Sequence, residues 1–260
     1  MSSNAPDLRP DAATPCAWGD AEAAFYARSI VHSGYARAVL PLLPRALPDL
    51  LDIGAGNGVL SRRMLAPGAR WHAVEPQPEM QRRLLAQGPA LADRGIRLQL
   101  SPVDWTQLDP AVAADTLLAA HLPPAQREPA AFHDAMATRW RRCMAWVVPA
   151  QAGPATFCLA GVLTPELHGA DTRPVVERVL AALGPGRAPQ ALHFADWRYE
   201  VHFESLAAAQ AHVIERLRLP PGDERRPQVL AQVAASARPA SRGVRLGCAK
   251  RSAVLLWRRD

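Results

Sequence analysis

Leu50-Leu51-Asp52-Ile53-Gly54-Ala55-Gly56-Asn57-Gly58-Val59-Leu60 is the stretch around which the rest of the chain is arranged. Leu50 to Ile53 is an apolar run broken only by Asp52, the pattern of a buried strand. Three glycines follow at alternate positions, and then Val59, Leu60, Met64 and Leu65 fall at helical spacing on one face. A strand, a glycine-rich turn and a helix form the opening unit of a doubly wound α/β domain, where ligands bind at the carboxyl ends of the strands. Gly54 gives the tight turn its backbone freedom. Gly56 and Gly58 are expected to leave out side chains that would hold a ligand off the main chain, and Asn57 lies between them. The amides opening the following helix are expected to face the ligand as donors.

Asp52 narrows the ligand. A carboxylate at the strand end repels a pyrophosphate and attracts a ligand carrying an ammonium and a sulfonium. The dinucleotide fingerprint needs Gly-x-Gly-x-x-Gly, and here the third glycine arrives one residue early.

Asp52-x-Gly54-x-Gly56-x-Gly58 resembles the first motif of class I S-adenosylmethionine-dependent methyltransferases. The resemblance is close over about residues 48 to 150 and rests on topology beyond them. It implies a doubly wound, seven-stranded, mostly parallel sheet with an antiparallel C-terminal strand. The cofactor implied is S-adenosyl-L-methionine, with S-adenosyl-L-homocysteine as product. Pro67-Gly68 marks a turn, Arg70 to Val74 reads as the second strand, and Glu75 ends it. The family places an acid there that accepts both ribose hydroxyls, with the next residues, here Pro76 and Gln77, flanking the adenine. Arg97 to Val103 is the third strand. Asp104 after it resembles the family acid that accepts from the adenine amino group, with Trp105 covering the ring, and it equally suits a turn or helix cap.

Asp115 to His121 reads as the fourth strand, which puts His121 among the strand ends where active-site groups collect. Methylases of exocyclic base amines place an Asn or Asp, two prolines and an aromatic here. His121-Leu122-Pro123-Pro124-Ala125 has neither the acid or amide nor the aromatic, which argues against that chemistry. His121 is a candidate proton acceptor, or a residue that only lines the cofactor pocket. Ala130 to Arg142 is expected to be helical and Met144 to Val148 to be the fifth strand. Residues 155 to 163 form an apolar run, either a strand or an extended loop.

Residues 1–17 are polar and proline-punctuated and are expected to be a poorly ordered tail before a single domain over 18–260. Helices over residues 18–47, from Trp18 to His32 and Tyr35 to about Leu47, are expected to cap the sheet. By the resemblance such helices overlie cofactor and substrate, making Phe25, Tyr26 and Tyr35 candidates for acceptor contacts; packing onto the core is the other reading of these rings. Thr172 to Leu183 is expected as a further helix. Ala191 to Phe203 and Gly247 to Trp257 are the last strands, and between them residues 205–240 carry two helical patterns around Pro220-Pro221-Gly222, a candidate lid. His193, His202 and His212 show no metal spacing, and no metal is expected.

The net charge of +6 is carried almost wholly by arginine, with Lys250 the single lysine. The basic pairs are dispersed, whereas a nucleic-acid footprint would cluster. The four cysteines lie far apart without zinc spacing, the N-terminus has no signal-peptide core, and no apolar run is long enough for a membrane span. A cytoplasmic methyltransferase acting on a small-molecule acceptor, as monomer or homodimer, is therefore the expectation. An RNA or protein methyltransferase and a catalytically silent S-adenosylmethionine-binding protein are the alternatives.

Overall fold

The computed structural model describes residues 19–152, 159–168 and 173–259. The tail expected over residues 1–17 and residues 155–158 of the 155–163 run lie outside them; the described remainder of that run forms a 3-10 turn over Ala160–Val162 and not a strand. Two helices come first, α1 (Asp20–His32) and α2 (Tyr35–Val39), the second continuing as a 3-10 turn over Leu40–Leu42. Pro41 and Pro44 end the helix sooner than its apolar spacing suggests, because proline removes a donor and restricts the residue before it. Then follow β1 (Leu47–Ile53), α3 (Ser61–Met64), β2 (Leu65–Val74), α4 (Pro78–Leu85), α5 (Gly88–Ala92), β3 (Arg97–Ser101), β4 (Ala114–Ala120), α6 (Pro123–Arg127), α7 (Pro129–Met136) and β5 (Trp140–Pro149). The C-terminal part adds α8 (Val175–Leu183), β6 (Ala191–Phe203), α9 (Leu206–Arg216), α10 (Arg226–Ser236), the two-residue β7 (Arg238–Pro239) and β8 (Val244–Arg258).

The sheet runs β3-β2-β1-β4-β5-β8-β6. Its first five strands are parallel, and β8 is antiparallel to both β5 and β6. This is the mostly parallel sheet with antiparallel C-terminal pairing that the sequence led us to expect. Alternation along β1 sends Leu50 to one face, where α1 to α4 supply Ile30, Val39, Met64 and Leu84, and Leu51 and Ile53 to the other. That second face is covered by Phe132 and Met136 of α7 and Val175, Val176 and Val179 of α8. Asp49, 8% exposed, ties four strands at the end of the sheet opposite the glycine loop. Its carboxylate takes Arg70 at 3.1 Å, Arg141 at 2.9 Å and the Asp115 amide at 3.2 Å.

Three expectations change. The helix after the glycine loop is a single turn, α3, because Pro67 pushes the chain out of helical geometry. β2 consequently begins at Leu65, not Arg70, and its register on β1 slips between Leu47 and Asp49 to absorb the extra residues. The helix expected over 130–142 stops at Met136. Buried Arg139 closes that turn by donating to the carbonyls of Leu108, Asp109 and Val112, and Trp140 already pairs with Ala114 in the sheet.

Candidate active site

A cavity of about 940 Å³ opens at the carboxyl ends of β1, β2 and β4, roofed by α1 and the C-terminal end of α9. Thirteen of the fourteen residues singled out from the sequence line it: Phe25, Tyr26, Tyr35, Asp52, Gly54, Gly56, Asn57, Glu75, Pro76, Gln77, Asp104, Trp105 and His121. Gly58 does not.

The glycine loop is built largely from its own hydrogen bonds. The amides of Gly54 and Ala55 donate to the Val74 carbonyl at 2.8 and 3.1 Å, and that of Gly58 donates to Ala55 at 2.9 Å. The Gly56 amide donates to Glu75 Oε2 at 2.7 Å. Four loop amides are thereby committed, and α3 is too short to present a helix N-terminus. The helix expected to open with ligand-facing amides is thus reduced to the single turn Ser61–Met64. Gly56 has φ +55° and a β-carbon there would meet nothing within 4 Å, so it faces open space. Gly58, at φ +67°, answers to packing instead: a β-carbon would stand 2.5 Å from the Trp71 ring. Its role is to let the loop lie on Trp71 and not to admit a ligand.

Two buried acids flank this loop. Asp52, 2% exposed, accepts a hydrogen bond from Ser61 Oγ. Burial holds its carboxyl up at about 7, against the pull of the Ser61 bond, and the neighbouring charge of Glu75 adds to the rise. Glu75, 6% exposed, bridges the loop and the start of α4, with Oε1 taking the Gln77 amide at 2.9 Å. Burial raises its pKa while the amides of Gln77 and Gly56 act in the opposite direction. Gln77 is committed otherwise than expected. Its side chain caps α4 by accepting from the Glu79 and Met80 amides and donates to Asp20 Oδ1 at 3.1 Å, fastening α1 to α4. Asn57 makes a second tie, donating to the Ala27 carbonyl at 3.1 Å.

Asp104 turns out as the capping alternative, accepting from the Thr106 amide at 3.0 Å and hydroxyl at 2.9 Å. The Trp105 ring packs edge-on against Phe132, with centroids 5.3 Å apart. His121 stands one residue past β4 with φ +50°, its amide held by the Val147 carbonyl at 2.9 Å. Its Nε2 lies 3.2 Å from Ser252 Oγ, which also accepts from Trp197 Nε1 at 3.0 Å. Burial pushes the imidazole down to about 4, and the charge of Lys250 adds to the fall. His121 is therefore neutral at pH 7. The Tyr35 ring meets its edge at 5.1 Å, and the Tyr35 hydroxyl is buried with no hydrogen-bond partner among the described residues.

Sequence reading missed a set of lining residues: Glu22, Arg28, Arg127, Tyr199, His212, Arg216 and Arg218. His212, which the sequence showed only to lack metal spacing, stacks on Phe25 at 4.5 Å. An ion pair between Arg216 and Glu22 joins α9 to α1 above the cavity. The candidate lid is also more than a cover. α9 and α10 bury Val213, Val229 and Val233 against Tyr199, Val201, Phe203 and Leu246 of β6 and β8, forming a third core cluster. Its helices are therefore packed onto the sheet and not appended to it.

No family model matches the chain, and no curated protein matches it. Solved structures do. One, described as the conversion of a disulfide bond into a thioacetal group during echinomycin biosynthesis, is 13% identical, with 88% of this chain and 82% of that chain covered, at a TM-score of 0.50. A S-adenosylmethionine-dependent methyltransferase from Geobacter sulfurreducens, in complex with S-adenosyl-L-homocysteine, is 15% identical over 85% of this chain and 88% of that one, with a TM-score of 0.46. Magnesium protoporphyrin IX methyltransferase from Synechocystis PCC 6803 is 19% identical over 46% of this chain and only 60% of its own length, with a TM-score of 0.38. With the strand order above, the likeness establishes the fold: this chain is built on the class I methyltransferase sheet.

Proposed function

We propose that this chain is a S-adenosylmethionine-dependent methyltransferase that delivers a methyl group in-line to a small-molecule acceptor. The observation that carries the reading is the coupling of the glycine loop to two buried carboxylates at the floor of one large cavity. Anion donors are scarce there, since the loop amides already have acceptors. Buried acids favour a cationic ligand and oppose a pyrophosphate. The residues fit the cofactor on three further counts: Gly56 faces open space, Glu75 keeps free lone pairs on both oxygens, and the Tyr35 hydroxyl has no partner among the described residues.

When bound, the cofactor supplies an electrophilic methyl group on a sulfonium. Glu75 would accept the ribose hydroxyls, Asp52 would face the cationic amino-acid end, and Pro76 and Trp105 would border the adenine. α1 and α9, clamped by the Arg216–Glu22 pair, keep water out and hold the acceptor in line, which is where most of the acceleration would arise. His121, neutral at pH 7, offers a hydrogen-bond acceptor to an acceptor molecule that arrives protonated, and a proton acceptor so weakly basic contributes little to the rate. Closure by α1 and α9 supports a small acceptor over a macromolecular one. The dispersed basic pairs support it too. Arg82 and Arg83 pair with Glu79, Arg141 with Asp115, and Arg225 with Asp223. The test is to incubate the purified protein with S-adenosylmethionine and a small-metabolite extract and follow S-adenosylhomocysteine. Product appearing only with extract, beside a metabolite heavier by one methylene, supports the reading. Product appearing only with RNA or protein added would overturn the small-molecule part of it.

A further inference from the structure

Many of the described arginines are held by acids or carbonyls. Three that line the cavity are not. Arg28 on α1, Arg127 in the last turn of α6 and Arg218 just past α9 are exposed. None of their guanidinium groups has a hydrogen-bond or ion-pair partner among the described residues. They come from three separate elements and line the same cavity. Arg218 takes a left-handed backbone, φ +52°, a conformation costly for a non-glycine residue. The acids of the cavity lie elsewhere or are engaged: Asp52 and Glu75 sit on the floor, Asp104 caps its turn and Glu22 pairs with Arg216. Only Glu215 opposes the three cations at the rim. Between rim and floor, Phe25 and Tyr26 present aromatic faces, Phe25 backed by His212.

The cavity thus combines buried acids at the strand ends with three exposed guanidinium groups in its lining. Resting on the methyltransferase reading, we propose that the acceptor is a small aromatic or apolar molecule bearing an anionic oxyacid group, a carboxylate or a phosphate, which Arg28, Arg127 and Arg218 bind at the rim. Its ring lies on Phe25 and Tyr26, and its anionic end stays near solvent. Guanidinium groups suit both oxyacids, since their paired donors match two oxygens at once.

The test measures binding of benzoate, benzamide, phenyl phosphate and phenol by calorimetry, on the full chain with and without S-adenosylhomocysteine. Wild-type protein is expected to bind at least one acid about tenfold or more tightly than its neutral counterpart, and added salt should erode that preference. Whether benzoate or phenyl phosphate leads tells the carboxylate from the phosphate. The variant carrying Arg28→Gln, Arg127→Gln and Arg218→Asn should lose the preference and keep its S-adenosylhomocysteine affinity; asparagine tolerates the left-handed backbone at 218. Each single variant should lower acid affinity roughly two- to fivefold, which covers the case of a triple variant that folds poorly. Absence of any acid preference in wild type, including no binding of any of the four probes, overturns the proposal, as does a preference that survives the triple variant. Failure of the methyltransferase reading shows separately, as wild-type protein that does not bind S-adenosylhomocysteine.

Discussion

Replacing Asp52 by asparagine should make the protein more stable and less able to bind its cofactor. The folded chain keeps the Asp52 proton up to about pH 7, whereas the unfolded chain releases it near the ordinary value of 3.8. Between those limits the unfolded state is favoured increasingly as pH rises, and the gap corresponds to about 4 kcal/mol once both are passed. Asparagine carries no proton to lose and still offers an oxygen to Ser61 Oγ. The variant should therefore match wild type near about pH 4 and exceed it by about 2–4 kcal/mol near about pH 8, measured by urea unfolding without ligand. Near about pH 8, where Asp52 is ionised, calorimetry should show S-adenosylmethionine affinity reduced about tenfold or more, since a cationic ligand loses its opposite charge, and the difference should shrink as pH falls below about 7. Equal pH dependence of stability in the two proteins would refute the buried-carboxylate argument. Undiminished cofactor affinity would refute the role given to Asp52.

The two inner loop glycines should separate. Gly58→Ala, forced against Trp71, should cost about 2 kcal/mol or more of stability, whereas Gly56→Val should leave the fold standing, less about 1 kcal/mol for its backbone, and abolish S-adenosylhomocysteine binding; thermal melts and calorimetry on both check this. Glu75→Ala should weaken S-adenosylhomocysteine binding by about 2–4 kcal/mol through loss of two charge-assisted hydrogen bonds, read by the same titration. His121 works in the opposite sense to Asp52: its folded pKa is lowered to about 4, so it costs stability as pH falls from 6.5 toward 4, and His121→Gln should flatten that limb of a pH-stability profile. Turnover of His121→Ala should fall by less than about tenfold, and a fall of about a hundredfold would restore His121 as the principal base.

The glycine-loop side of the cavity was legible because its requirements are local. Three alternate glycines encode left-handed backbone at positions 54, 56 and 58, and Asp52 and Glu75 close strands whose apolar runs stand out. What each glycine is for was less legible. Gly58 answers to Trp71, brought beside it by strand pairing, and Gln77 is occupied by Asp20 from a helix far earlier in the chain. Helix ends at α3 and α7 are set by Pro67 and by the carbonyls that Arg139 reaches, which periodicity does not reveal. The remaining lining was nearly silent. Arg28, Arg127, His212 and Arg218 belong to no motif, and only the tertiary packing of α1, α6 and α9 makes them lining residues of one cavity.

By this reading the cavity takes a methyl-cycle nucleoside and not a dinucleotide. Calorimetric titration of the wild-type protein with S-adenosylhomocysteine and, separately, with NAD tests it most directly. Saturable one-site binding of S-adenosylhomocysteine, with NAD at least about a hundredfold weaker, is the result expected from four committed loop amides and two buried acids. NAD binding as tightly as S-adenosylhomocysteine, or neither ligand binding at all, would contradict it.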